Sequence, residues 1–200
     1  MYGGMKLKIS SGNIKIGQTP NLSLPPIVTC RDDAPCVKDC YAKQNYIRYP
    51  RVRAAWGGNL KLYVEKPEKF FTDLIVYLSI ERPRRFRLFV GGDFPDVKFF
   101  DKILDIVCSY PDINFLCFTK QYEFAIRWHD YIPSNYKLVL SMWPGLDLPE
   151  GYEKFPTAWL SEDDRFNFDT YIKCKGKCSE CGYQCWSAIN PELPVVFDKH

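Results

Sequence analysis

FRLFVGG (86–92), INFLCFT (113–119), YKLVLSM (136–142) and TAWL (157–160) are four short apolar runs, each followed by a polar turn. Between them lie Asp96 to Ser109, which sets Phe100, Ile103, Leu104 and Val107 on one helical face, and Gln121 to Tyr131. Apolar strand, loop and amphipathic helix in regular alternation predict a parallel sheet with helices outside it, joined by right-handed connections. Upstream, Pro67 suits a helix start, and Phe70, Phe71, Leu74, Ile75 and Leu78 recur at helical spacing as far as Ile80. RVRAAW and NLKLYV predict helical turns divided by Gly57 and Gly58. Residues 1–29 predict one weak hairpin, from KLKIS and NIKIG, and a long loop, because the prolines of TPNLSLPP block regular helix. The whole predicts an α/β domain over 1–169 with a Cys-rich extension, 170–200, packed on it.

The composition fits that reading. A chain of 200 residues with 46% hydrophobic and 26% charged residues can bury one real core, which excludes disorder as a description of the whole. Lys plus Arg is 27 against 24 for Asp plus Glu, and a net charge of +3 is far from that of a dedicated nucleic-acid coat. No apolar run reaches eighteen residues and no charged-then-apolar leader opens the sequence, so neither a membrane span nor a secretory signal is expected. A cytoplasmic protein is expected. Nine cysteines are then unusual, since a reducing compartment disfavours disulfides and an odd count cannot pair completely.

Four of them, Cys174, Cys178, Cys181 and Cys185, fall within KCKGKCSECGYQCW. On a straight helix they would form one stripe, but the outer sulfurs would then stand roughly 16 Å apart at 1.5 Å per residue, too far for a common metal centre. Gly176 and Gly182 weaken such a helix. If all four bind together, the segment must fold back at its glycines. Structural zinc usually takes two close pairs separated by a longer loop, whereas these short successive intervals are nearer a ferredoxin-type run; both metals suit thiolate-only binding.

The second set is Cys30, Cys36 and Cys40 in CRDDAPCVKDCY. Three thiolates are one short of closing a [4Fe-4S] cube, and an iron without a protein ligand can bind a substrate. A fourth ligand from elsewhere, the carboxy-terminal group included, would instead close the site. Cys108 and Cys117 read as core residues, one on a helix and one in an aromatic strand.

Taken together, SGNIKIG, the TPNLSLPP…TC…C…CYA loop, FRLFVGGDF, FLCFTK and the cysteine tail ending in CW resemble the phage gene product 88 family. More distantly, the chain resembles the radical S-adenosylmethionine (SAM) superfamily with its partial (β/α) barrel. Members of that superfamily carry three cysteines in a loop before the first helix and a Gly-Gly-Glu-like motif at the end of the next strand. The cysteine spacing here is longer, and Gly91, Gly92 and Asp93 stand where the second motif would. The resemblance implies Cys30, Cys36 and Cys40 as cluster ligands and Gly91, Gly92 and Asp93 as partners of the methionine amino group of SAM. It also implies an electron donor such as a ferredoxin or flavodoxin, and reductive cleavage of SAM to a 5′-deoxyadenosyl radical that attacks an unknown substrate.

Glycines at a strand end let the backbone approach a ligand closely, and a carboxylate there accepts hydrogen bonds from an ammonium. Thr119, Lys120 and Ser141 are expected at the same rim. Neither His129 nor His200 is needed for this chemistry. Two other functions share the pattern. One is an iron–sulfur protein without SAM, transferring electrons or binding a small ligand. The other is a zinc-stapled nucleic-acid-binding protein, for which YIRYPRVRAAW and ERPRRFR interleave arginine with aromatics.

Overall fold

In the computed structural model, which describes residues 4–198, the four apolar runs form the centre of a seven-stranded sheet. Strands β1 (Asn21–Leu22), β2 (Arg85–Leu88), β3 (Asn114–Thr119), β4 (Tyr136–Ser141), β5 (Thr157–Leu160), β6 (Ile172–Lys173) and β7 (Val195–Phe197) lie in the order β1-β2-β3-β4-β5-β7-β6. Every pairing is parallel. The α/β expectation therefore holds. The sheet is open, with β1 and β6 at its edges, and the strands do not close into a barrel. Residues 170–200 supply β6 and β7, so the cysteine-rich segment is hydrogen-bonded into the sheet.

Strands added one beside the next by right-handed crossovers leave their helices on one face. The helices are α1 (Tyr41–Arg48), α2 (Pro50–Glu65), α3 (Pro67–Glu81), α4 (Val97–Ser109) and α5 (Tyr122–Arg127). Phe86, Leu88, Phe115, Cys117, Leu138 and Leu140 share the main core with Phe70, Leu74, Phe99 and Ile103 of α3 and α4. The alternate residues Leu116, Val139, Ala158 and Val195 pack with Ile172, Trp186 and Ile189 of the carboxy-terminal segment. Successive side chains of a strand point to opposite faces, so both faces of this sheet are apolar and the runs carry little alternation. Cys117 is buried in the main core as expected, but Cys108 is exposed, one position beyond the inward-facing Val107.

Local chemistry sets the helix ends. Asp96 caps α4, accepting the Phe99 N–H at 2.8 Å, and Pro67 opens α3 at its first turn. The predicted break at Gly57 and Gly58 is absent, and α2 runs unbroken from Pro50 to Glu65. Tertiary contact outweighs the weak helix propensity of glycine there. Asn59, fully buried, donates to the carbonyls of Lys8 (2.9 Å) and Ser23 (3.1 Å) and accepts the Lys8 N–H (2.8 Å).

Beyond β5, Asp163 and Arg165 fasten the loop after β4. Arg165 pairs with Asp163 through Nε (2.9 Å) and Nη2 (2.7 Å), and donates to the carbonyls of Trp143 (2.7 Å) and Leu146. The guanidinium holds the Asp163 carboxyl below its ordinary pKa. A carboxylate with a depressed folded-state pKa contributes stability that is complete above the unfolded value and is lost as pH falls through the folded one. Denaturant melts of the native chain should therefore weaken below about pH 4 by more than those of Asp163→Asn, whose loss at neutral pH should be about 2–3 kcal/mol. Parallel pH profiles for the two proteins would contradict this.

Candidate thiol-lined site

In a parallel sheet all the strand carboxyl ends meet on one edge, and ligands of open α/β sheets lie beyond it. At that edge a cavity of about 330 Å³ opens, reached by Gly91 to Asp93 after β2, Lys120 after β3, Ser141 to Trp143 at the end of β4, and Phe197 and Asp198 at the end of β7. Its inner wall is the sheet face turned away from the helices, through Arg87, Leu116, Phe118 and Ala158. Cys30, Cys36 and Cys40 line one side and Cys174, Cys178, Cys181 and Cys185 line another. Both cysteine sets, drawn from opposite ends of the sequence, thus face one space.

The front set is held by backbone and by cations. Cys30 Sγ accepts the Ile27 N–H at 3.4 Å. Cys36 sits in a single 3-10 turn, Pro35–Val37, and Cys40 caps α1, its sulfur accepting the Lys43 N–H at 3.4 Å. Arg31 donates to the Lys120 carbonyl at 3.2 Å and lies over the Tyr122 ring, which pins the cysteine loop to the end of β3. Burial, the Asp93 charge and the neighbouring thiols push Cys30 up to about 12; burial also raises Cys36, against the pull of Lys120. Such thiols are poor nucleophiles near neutral pH, because the thiolate is the reactive form. A metal can still displace their protons.

The Gly91-Gly92-Asp93 turn is tightly packed. Gly92 has φ +78°, and a Cβ there would lie 2.6 Å from the Leu24 carbonyl oxygen and 2.7 Å from Thr29 Oγ1. A Cβ at Gly91 would lie 2.3 Å from the Trp56 ring. Asp93, only 5% exposed, has its carboxylate engaged by internal donors: Thr119 Oγ1 (2.6 Å), the Lys120 N–H (2.8 Å) and the Phe94 N–H (2.9 Å). Burial raises its pKa despite those bonds. Asp93 therefore shapes the turn and adds negative potential to the cavity floor. Lys120 and Ser141 meet at this rim, where Lys120 Nζ donates to Ser141 Oγ at 2.9 Å and stands over Trp143, whereas Thr119 is buried on Asp93 and does not line the cavity.

The tail forms no α-helix between Cys174 and Cys185, and only a single 3-10 turn, Gln184–Trp186, begins there. Positive φ at Gly176 (+80°), Gly182 (+65°) and Tyr183 (+61°) folds it back, as a shared centre requires. Three contacts fasten it: Cys174 N–H to the Val196 carbonyl (2.8 Å), Cys178 N–H to the Lys15 carbonyl (2.8 Å), and Arg85 over the Tyr183 ring at 4.3 Å. Cys174 Sγ accepts the Gly176 N–H at 3.4 Å. Burial pushes Cys185 up to about 12 and also raises Cys178; in both, Arg87 opposes and the other tail thiols reinforce the shift.

Among the described residues no three His, Cys, Asp or Glu side chains stand close enough together to hold one metal ion. The donor set is nonetheless all sulfur, gathered in two groups around a cavity. Backbone N–H groups point at Cys30, Cys40 and Cys174, the kind of hydrogen bond that tunes a thiolate ligand. Lys15, Tyr41, Arg87 and Trp143 also line the cavity; the first three fall within NIKIG, CRDDAPCVKDCY and FRLFVGG, but nothing local in the sequence marks any of the four as a cavity residue. His129 sits apart, bonded to Asp130 with its ring against Phe155, and His200 lies outside the described residues.

These features define a class: an open parallel α/β protein whose strand ends and carboxy-terminal segment surround a thiol-lined cavity. The model of the family Gene product 88 matches residues 5–144, and the chain belongs to that family. The match supports a phage protein and contains the front cysteines and the Gly-Gly-Asp turn; the tail cysteines lie beyond it. No match was found among curated proteins or among solved structures. Among the described residues no helix is long and apolar enough to cross a membrane.

Proposed function

We propose that the chain is an iron–sulfur protein of radical SAM character, built on a partial-barrel-like sheet and acting on an unknown substrate in the host cytoplasm. One observation carries the reading: Cys30, Cys36 and Cys40 share a cavity at the strand carboxyl ends with the Gly91-Gly92-Asp93 turn. A [4Fe-4S] cluster with three protein ligands would supply an iron free to bind SAM and a source of one electron for its reductive cleavage. Cys30, Cys36 and Cys40 would hold that cluster, and Cys174, Cys178, Cys181 and Cys185 a second one or a zinc. The glycines bring main chain to the cavity surface, and Asp93 fixes the turn. Phe118, Trp143 and Phe197 restrict water, and Lys120 lies where it can meet an anionic ligand. An external reductant such as a ferredoxin or flavodoxin completes the electron supply.

Anaerobic purification followed by titration with SAM tests this. A brown protein is expected, with iron and sulfide in equal amounts, a reduced-state paramagnetic resonance spectrum that changes on adding SAM, and 5′-deoxyadenosine as product. An unchanged spectrum and no cleavage would leave an iron–sulfur protein without SAM. A colourless protein with stoichiometric zinc would overturn the proposal. The arginine-rich nucleic-acid reading is less favoured, since Arg85 and Arg87 of ERPRRFR stack inward on Tyr183 and Phe118.

A further inference from the structure

A second concavity lies between the turn over residues 25–28 and helices α1 and α2. It is a groove of about 400 Å³ walled by Pro25, Val28, Tyr46, Leu60 and Val64, and among the described residues it shares only Pro26 with the thiol-lined cavity. Helix α2 sets Arg53, Gly57, Leu60, Lys61 and Val64 on one stripe at helical intervals. Gly57 keeps that stripe low, since a Cβ there would stand 3.1 Å from the Tyr46 hydroxyl. Ile27 has φ +74°, a left-handed backbone that is costly for a β-branched residue, and the strained turn leaves Val28 69% exposed. Val64 is equally exposed, and Ile47, next to Tyr46 on α1, is 60% exposed. Aliphatic side chains are thus held in water around an apolar groove.

The charge beside that groove is of one sign. Six of the 27 bases but only one of the 24 acids lie between Tyr41 and Lys66, so these two helices carry +5 and the rest of the chain −2. The one acid, Glu65, is answered by Lys61 at 3.7 Å. Arg53 donates to the Ile47 carbonyl at 3.0 Å, which sets its guanidinium where α1 ends and α2 begins. A second copy related by a two-fold axis would place +5 against +5. A nucleic-acid strand needs aromatic faces open to its bases, whereas Trp56 is stacked on Tyr46 with ring centres 6.2 Å apart and lies against Gly91. A lipid surface would leave a concave floor unfilled.

We propose that this groove docks an acidic segment of a partner protein, which lays aliphatic side chains against Val28, Leu60 and Val64 while its carboxylates face Arg48, Arg53 and Lys61. Apolar contact in the groove supplies affinity, and the cations supply orientation and speed of encounter. The docking does not depend on what the thiol-lined cavity holds.

The test uses the full chain and a fluorescein-labelled peptide about 16 residues long, with Glu and Leu in amphipathic helical order. Fluorescence anisotropy compares it with the same peptide carrying Lys for Glu, with one carrying Ser for Leu, with oligothymidine of the same length and with phosphatidylglycerol vesicles. The Glu–Leu peptide is expected to bind about 10-fold more tightly than either altered peptide, and less tightly as salt rises. Val64→Asp and Lys61→Glu, both at exposed positions, should each weaken it about 10-fold with the melting midpoint unchanged. Should Val64→Asp melt early, Val28→Asp on the loop side of the groove gives the same reading. Equal binding of the three peptides, no binding of any, or indifference to the substitutions would overturn the proposal. Preference for oligothymidine or for vesicles, lost in the same variants, would overturn it in favour of a nucleic acid or a lipid surface.

Discussion

On the iron–sulfur proposal, Cys36→Ala is expected to strip the front site of iron and sulfide while the tail keeps its metal, and Cys178→Ala to do the reverse. The physical ground is the division of the thiols. Cys30, Cys36 and Cys40 sit on a loop pinned by Arg31 to the end of β3, whereas the tail thiols are fastened to β7 and to Lys15. Ionised, each set repels within itself: Cys36 and Cys40 act on Cys30, and Cys174 and Cys181 act on Cys178. A cluster that has lost one of three protein ligands has no nearby thiol of its own set to replace it. Iron, zinc and sulfide per chain after anaerobic purification decide the matter. If either substitution empties both sets equally, the thiols share one centre and the open corner does not exist.

Gly92→Ala should cost at least about 2–3 kcal/mol of folding stability, from the left-handed conformation and from main chain in the way. The obstacle is the Leu24 carbonyl oxygen, 2.6 Å from the added Cβ. Leu24 is itself tied through its N–H to the Gly91 carbonyl at 3.1 Å, so no side-chain exchange opens the space. Gly91→Ala meets a different obstacle, the Trp56 ring. Its loss should be partly relieved by Trp56→Leu, with a coupling of about 1–3 kcal/mol in a double-mutant cycle. Denaturant midpoints of the four proteins read this directly. A Gly92→Ala chain as stable as its parent would show that the turn is loose, and a loose turn could not present its backbone to a ligand at fixed distance.

The central strands were legible because parallel strands buried on both faces become continuous apolar runs, and α4 because its apolar positions repeat over three turns. Strands β1, β6 and β7 were not, being two or three residues long and too short to show a period. At Gly57 and Gly58 local propensity pointed to a break, and contacts made by Asn59 with Lys8 and Ser23 overrode it. Arg85 and Arg87 resembled a basic surface run; their R-F-R-L alternation placed them on one face, but nothing local said that the cysteine tail covers it. The seven cysteines were visible by spacing alone. That both sets face one cavity depends on β7 lying between β5 and β6, a long-range pairing that no local pattern encodes.

That insertion has a temporal side. The segment bearing Cys174 to Cys185 and the strand that anchors it are the last of these elements to leave the ribosome, after β1 to β5 and their helices have emerged. Until Val195–Phe197 docks beside β5, the chamber lacks the part of its lining that Phe197 and Asp198 supply. Enclosure of the cavity therefore waits on a pairing made only after the six other strands have emerged.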